Sequence, residues 1–337
     1  MNLRSAAVAA ALLGLVGAPA ARPAHADDAP DVTAMVDAIN GVFGSHQGYR
    51  AVHAKGFCAA GSFEPTAEAK GVSKAVIFDG RAVPVMYRFS IAPGLPTASD
   101  KEQAPRSLVA RFQPNGGDTM DLLMISVPFV FVHDPNDFAP FFRALTPDPA
   151  TGKPDPAKFK AYFDKHPESQ RFLDWLDQHP VPASYATARY YAVHTFYFTD
   201  DKGQRRPARW MAEPRAGEVG LTDEQKKTLG DDFYEDEMRQ RIDKQPAEWD
   251  LYLVFAAPGD PLTDASAPWP ADGKQRERVQ VGRFRVGSVE QAGGKGPCDQ
   301  EMFNPMQLVD GIEPSDDPVL KVRPDAYAVS FSRRMSQ

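Results

Sequence analysis

The chain has 337 residues, enough for one large domain or two small ones, and its 38 basic and 45 acidic side chains give a formal charge of −7 at pH 7. That acidic balance argues against nucleic acid or an anionic membrane as the main partner. The 31 prolines against 25 glycines point to many turns in an otherwise ordinary globular composition, without a low-complexity tract.

Residues 1–26 read as a cleaved signal peptide. Arg4 gives a basic start, residues 6–18 form an apolar run too short to span a bilayer, and Ala24-His25-Ala26 has the small-x-small form of a cleavage site. Cleavage would leave residues 27–337 as a single domain in the periplasm. It removes Arg4 and Arg22 and no acid, so the formal charge moves from −7 to −9. No twin arginine precedes the apolar run, so the expected export is of an unfolded chain, with any cofactor inserted afterwards. No later run is apolar and long enough to insert into a membrane.

Residues 27–48 form a polar lead-in with one amphipathic piece, VTAMVDAINGVFG. Residues 74–133 read as a run of antiparallel strands, enough to begin a closed barrel. Asp79-Gly80 between two apolar runs predicts a hairpin. In VMYRFS, Arg88 and Ser90 share one face while Val85, Tyr87 and Phe89 share the other. SLVARFQ and DLLMISVPFVFV continue the strands. Residues 134–182 read as short helices separated by prolines. ARYYAVHTFYFTD returns to strand. LTDEQKKTLGDDFYEDEMRQRIDKQ is helical, with Thr222 and Gln225 at capping-box spacing. WDLYLVFAA and VQVGRFRVG are two more strands. EPSDDPVLKVRPDAYAVSFSRR begins a helix with Ser315 as the expected N-cap.

The residues alone carry little chemistry. Of seven histidines one lies in the signal peptide, and none has a metal-ligand spacing. His53, in YRAVHAKG, reads as a packed core histidine as readily as a catalyst, and Tyr327 is one tyrosine among ten. Cys58 and Cys298 are bound for an oxidising compartment. They pair, or Cys58 is a buried thiol, or it lines the site beside His53. The chain lacks Cys-x-x-Cys-His, which argues against covalently attached haem.

Five stretches, taken in order, resemble haem catalases. RAVHAKG with GSFEPT (50–66) resembles the distal segment, YRFS (87–90) the strand carrying an arginine and a serine, and DLLMISVPFVFVHDPNDFAPF (121–141) the segment covering the haem. HTF (194–196) resembles a later barrel strand, and FNPMQLVDGIEPSDDPVLKVRPDAYAVSFSRR (303–334) the proximal segment. Because the chain ends just past that segment, it is most similar to the short catalase-related peroxidases. The resemblance implies an α+β fold: a closed antiparallel β-barrel of about eight strands with surrounding helices, lacking the C-terminal helical extension of full catalases.

It also implies haem b with Tyr327 as iron ligand. A free phenol has a pKa of about 10, so a cation must favour its anion, and Arg323, one helical turn earlier, is that cation. His53 would move a proton between the two peroxide oxygens, with Ser90 orienting its imidazole. Val52 would line the channel and Phe138 would stack on the porphyrin. Arg50, Arg88 and Arg334 would pair with the propionates. Three departures stand out. Ser126 takes the position matched to the distal asparagine, which favours a peroxidase using an organic electron donor over fast dismutation. Pro324 follows Arg323 and is expected to kink or restart the proximal helix, since proline in a helix interior costs about 3 kcal/mol. Phe331 stands where catalases carry a histidine. The expected activity is reduction of hydrogen peroxide or small organic peroxides by an organic donor, in a monomer or dimer. A true catalase and a non-catalytic haem carrier are the alternatives.

Overall fold

Eight strands follow one another in chain order: β1 (Gly56–Pro65), β2 (Val83–Ile91), β3 (Arg106–Phe112), β4 (Met120–Ile125), β5 (Tyr190–Thr199), β6 (Arg205–Pro214), β7 (Ala247–Phe255) and β8 (Arg278–Val289). Each pairs antiparallel with its neighbours in sequence, and β1 pairs with β8 to close the ring. A short ninth strand, β9 (Ile312–Pro314), lies against residues 196–198 of β5. This computed structural model describes residues 29–269, 275–290 and 296–336. The residues from Asp31 onward form one compact unit, and the expected signal peptide lies outside the described residues. The closed α+β barrel expected from the motifs is the fold found.

Strand alternation decides what fills the barrel. Tyr87 and Phe89 of β2 and Trp249, Leu251 and Leu253 of β7 belong to one buried cluster with Phe63, Phe112 and Phe284. The Phe63 ring lies 5.2 Å from Phe112 and 5.8 Å from Phe284. Burying each such ring stabilises the fold by on the order of 2–3 kcal/mol. The interior is therefore packed side chain, and chemistry must sit on the outer wall, where Arg88 and Ser90 of β2 point.

Helices cover that wall. α1 (Val32–Phe43), α2 (Phe138–Leu145) and α7 (Pro318–Met335) pack together, α1 against both others. α3 (Pro156–Phe163), α4 (Pro167–Gln178), α5 (Asp223–Thr228) and α6 (Phe233–Ile242) complete the set. The Thr222–Gln225 capping box forms as the spacing predicts.

The structure corrects several expectations. Asp79-Gly80 is not a hairpin between strands: Val76–Phe78 is a 3-10 turn whose Ile77 and Phe78 are buried in the barrel core, and β2 starts at Val83. DLLMISVPFVFV is strand only as far as Ile125. β1 and β6 were not anticipated. Ser315 does not cap α7. Asp317 does, accepting from the Val319 and Leu320 amides at 2.8 and 3.3 Å. Pro324 lies inside α7 without restarting it, because the helix runs unbroken over 18 residues.

Candidate functional site

His53 lies in the bend between α1 and β1, where its amide donates to the Ala92 carbonyl at 2.9 Å. It is the sole non-glycine with positive φ among the described residues, at +57°. A side chain in that region costs on the order of 1–2 kcal/mol, strain of the kind that collects at functional positions. Gly56 explains how the chain returns to the wall: a Cβ there would overlap the Phe89 carbonyl oxygen and lie 2.8 Å from the Ser90 Cβ. The two strands approach closely at this point, and the Ser90 Oγ reaches 3.2 Å from His53 Nδ1. With Nδ1 engaged by Ser90, Nε2 is the nitrogen left for substrate.

Burial, then the charges of Arg88 and Arg323, push His53 down to about 3. The imidazole is therefore neutral across the physiological range, as a base must be. The same shift sets a pH dependence. An unfolded histidine titrates near 6.5, so below that pH the unfolded chain binds the proton more readily. This residue's contribution to stability is complete above pH 6.5 and is lost as pH falls toward 3, by at most about 5 kcal/mol. Denaturant unfolding across that window should therefore show a shallower loss in His53→Asn than in the parent.

Arg323 belongs to α7, and its charge is one of those that lower the His53 pKa. Its Nε and Nη2 donate to the Tyr327 hydroxyl oxygen at 2.9 and 2.6 Å. The i, i+4 contact expected from sequence forms despite Pro324. Two donors and a positive charge converge on the one oxygen that would bind a metal cation.

Three further arginines gather at the segment 298–301. Arg50 donates to the carbonyls of Cys298 and Glu301 at 2.9 and 3.1 Å. Arg334 donates to the Glu301 carbonyl at 2.7 Å, and its buried Nε has no partner. Among the described residues neither arginine has a carboxylate partner, and burial alone pushes Arg334 down to about 10. Arg88 differs from expectation. It is already paired with Asp299 at 3.1 Å and also donates to the His53 carbonyl at 3.0 Å, so it braces the histidine bend. Phe331 packs under the Arg334 guanidinium, 4.7 Å from ring centre to Cζ. Val52 and Phe138 stand in one apolar cluster beside α1 and α2, the Phe138 ring 5.2 Å from Phe131.

The position matched to the distal asparagine needs correction. Ser90, Ser107 and Ile125 are direct cross-strand partners in β2, β3 and β4, so their side chains share the face that holds His53. Ser126 is one residue further on, beyond the strand. Its Oγ accepts the Arg106 amide at 2.9 Å. A shift of one residue changes the face, so Ile125 takes the place assigned to Ser126.

Sequence reasoning missed His194 and Asp317. The His194 Nδ1 lies 2.7 Å from the Asp317 carboxylate, both residues are buried, and His194 Nε2 has no partner among the described residues. Burial pushes the His194 pKa down against the opposing pull of Asp317, and Arg323 adds to the fall. HTF was visible as a strand motif, but nothing in the sequence joined it to an aspartate 123 residues away. Cys58 and Cys298 pair, with Cα atoms 5.6 Å apart.

Residues 45–337 match the catalase family model. The chain belongs to the catalase family. It is 37% identical over 300 residues to a catalase-related peroxidase of Synechococcus elongatus, covering 89% of this chain and 87% of that protein. The corresponding protein of Mycolicibacterium paratuberculosis is 32% identical, covering 89% and 93%. A catalase of Schizosaccharomyces pombe is 29% identical and is matched over 58% of its length. Catalase A from Saccharomyces cerevisiae has the same fold, with a TM-score of 0.75 at 22% identity, covering 85% of this chain and 61% of that one.

Catalase-family membership implies haem binding, and the residues present fit that group. Tyr327 offers an oxygen ligand already held by two guanidinium N–H groups. Arg50 and Arg334 are buried or half-buried cations without carboxylates, one with an orphaned Nε, which suits the propionates of a porphyrin. The apolar cluster of Val52 and Phe138 suits its ring. Among the described residues no helix is long and apolar enough to cross a membrane.

Proposed function

We propose that the protein is an exported haem b peroxidase that reduces hydrogen peroxide or small organic peroxides with electrons from a small organic donor, and that its catalase activity is weak. Family membership gives a peroxide-acting oxidoreductase. The preference for the peroxidase outcome is carried by one observation: the side chain in line with Ser90 and Ser107 is Ile125. Dismutation needs a second peroxide held beside the histidine, and isoleucine has no N–H or O–H to hold it. The two relatives named catalase-related peroxidase, matched over most of their length, support the same preference. The disulfide and the small-x-small motif after the apolar run support export to the periplasm. A monomer or dimer is the proposed state.

Bound haem would supply an iron that peroxide oxidises by two electrons. The protein's own part is proton handling and anchorage. His53 Nε2 accepts the proton of one peroxide oxygen and returns it to the other, which leaves as water. Burial keeps the His53 imidazole neutral, so Nε2 has a lone pair free to take that proton. Ser90 keeps the ring aimed, and the Arg88 contact to the His53 carbonyl fixes the bend. Arg323 holds the Tyr327 oxygen in place.

The test follows peroxide-driven oxidation of a phenolic dye and oxygen release in parallel, in the parent and in Ile125→Asn. Dye oxidation should dominate in the parent. In the variant oxygen release per haem should rise by about tenfold, the worth of one added hydrogen bond. Oxygen release dominating in the parent would favour a true catalase, and neither reaction from a haem-loaded protein would favour a carrier.

A further inference from the structure

We infer that the Cys58–Cys298 disulfide positions the arginines that receive the haem propionates, so that its redox state sets how tightly haem is held. The inference rests on the haem-binding reading above. The segment 298–301 belongs to no sheet and, beyond the single 3-10 turn Pro297–Gln300, to no helix. It nonetheless supplies the acceptors for the arginine cluster. Arg50 is held by the Cys298 and Glu301 carbonyls, Arg334 by the Glu301 carbonyl and Arg88 by the Asp299 carboxylate. Irregular backbone has no ladder to fix the direction of its carbonyls, so something else must.

The disulfide does so. Cys58 is the direct cross-strand partner of Arg88 in the β1–β2 pair, so its side chain shares the outer face of the barrel wall with that arginine. Cys298 is itself the residue whose carbonyl holds Arg50. Both cysteines are fully buried. One covalent link therefore ties the acceptor segment to the rigid strand beside the cluster that it serves. Reduction by a dithiol transfers two electrons and two protons, giving two protein thiols and an oxidised reductant. The segment would then be tied to the wall only by the Arg88–Asp299 and Arg111–Glu301 ion pairs and by side-chain hydrogen bonds, and Arg50 and Arg334 would lose part of their fixed orientation toward an incoming carboxylate. Tyr327 on α7 and Ser90 on β2 do not depend on this segment. The effect should therefore fall first on propionate anchorage and leave the iron ligand untouched, while the His53 bend, although it loses part of the Arg88 brace, keeps its amide bond to Ala92 and its contact with Ser90. In a chain exported unfolded, firm retention of haem would then begin only in the oxidising compartment.

The test separates anchorage from general loosening. Holoprotein is prepared with haem and, separately, with haem dimethyl ester, whose propionates carry no charge. Transfer of each to an excess of apomyoglobin is timed in three proteins: the parent, the parent reduced by dithiothreitol, and Cys58→Ser with Cys298→Ser. Far-UV circular dichroism verifies that the barrel stays folded. Haem loss should accelerate by about tenfold without the disulfide, the worth of one charge-assisted hydrogen bond, while loss of the ester should change by less than about twofold. Equal acceleration of both would show a merely structural bond and overturn the inference, as would no change in either. Failure of the oxidised parent to take up haem would instead overturn the haem-binding reading, and the inference with it.

Discussion

Tyr327→Phe is expected to abolish the phenolate-type absorption spectrum of the haem-loaded protein and to weaken haem retention by at least about tenfold. The change removes one oxygen and keeps the ring, so α7 should stay intact. The lost oxygen is the acceptor for two N–H groups of Arg323, at 2.9 and 2.6 Å. Those half-buried donors would be left without their acceptor, and the charge they carry already lowers the pKa of both His53 and the buried His194. A guanidinium stripped of its acceptor in such surroundings costs about 1.5–3 kcal/mol, so the variant should also melt earlier than the parent. Arg323→Leu provides the complement: it keeps the oxygen, loses both donors, and should retain haem with a shifted spectrum. Absorption spectra of the three reconstituted proteins decide the matter. An unaltered spectrum in Tyr327→Phe would remove this tyrosine from consideration as the iron ligand.

How much of this was legible in the sequence depended on how local the cause was. The alternation VMYRFS separated Tyr87 and Phe89 from Arg88 and Ser90, because strand parity needs no tertiary information, and the closed barrel decided which face is the core. The Arg323–Tyr327 contact was legible for the same reason, one helical turn apart. Other features depended on neighbours distant in sequence. Asp79-Gly80 looks like a hairpin turn, but the apolar residues before it serve as a plug: Ile77 and Phe78 enter the barrel core from a 3-10 turn. β6 escaped notice because RRPARWMAEP opens with charge and proline. Its inward residues are Ala208, Trp210 and Ala212, and Arg209 between them is held by carbonyls of the 261–267 segment. Motif matching placed the distal asparagine at Ser126, and only the strand register, which pairs Ser107 with Ile125, moved it by one residue. Nothing in the sequence said that Arg88 would be neutralised by Asp299, 211 residues away.

His53→Asn should leave haem binding and its spectrum intact while slowing the peroxide-induced change of the Soret band by about a thousandfold. Asparagine is the informative choice because of the backbone. At φ +57° most side chains would add strain and move the bend, whereas asparagine visits this region more readily than any other residue except glycine. The bend should therefore keep its hydrogen bonds to Ala92 and Pro93 and the contact of its carbonyl with Arg88. What disappears is the basic nitrogen. Uncatalysed, the proton of one peroxide oxygen would have to reach the other through solvent, and a positioned base commonly contributes between about a hundredfold and ten-thousandfold to such a transfer. Ser90→Ala should show a smaller loss, about tenfold, because the imidazole is still present but is no longer held at Nδ1. Two controls give the pair its meaning. Added imidazole should restore part of the rate in His53→Asn and none in Ser90→Ala. Stopped-flow traces at several peroxide concentrations should show the loss in the second-order rate constant and not in haem content. A parental rate constant in His53→Asn would place the base elsewhere, and the buried, singly bonded His194 would be the next residue to replace.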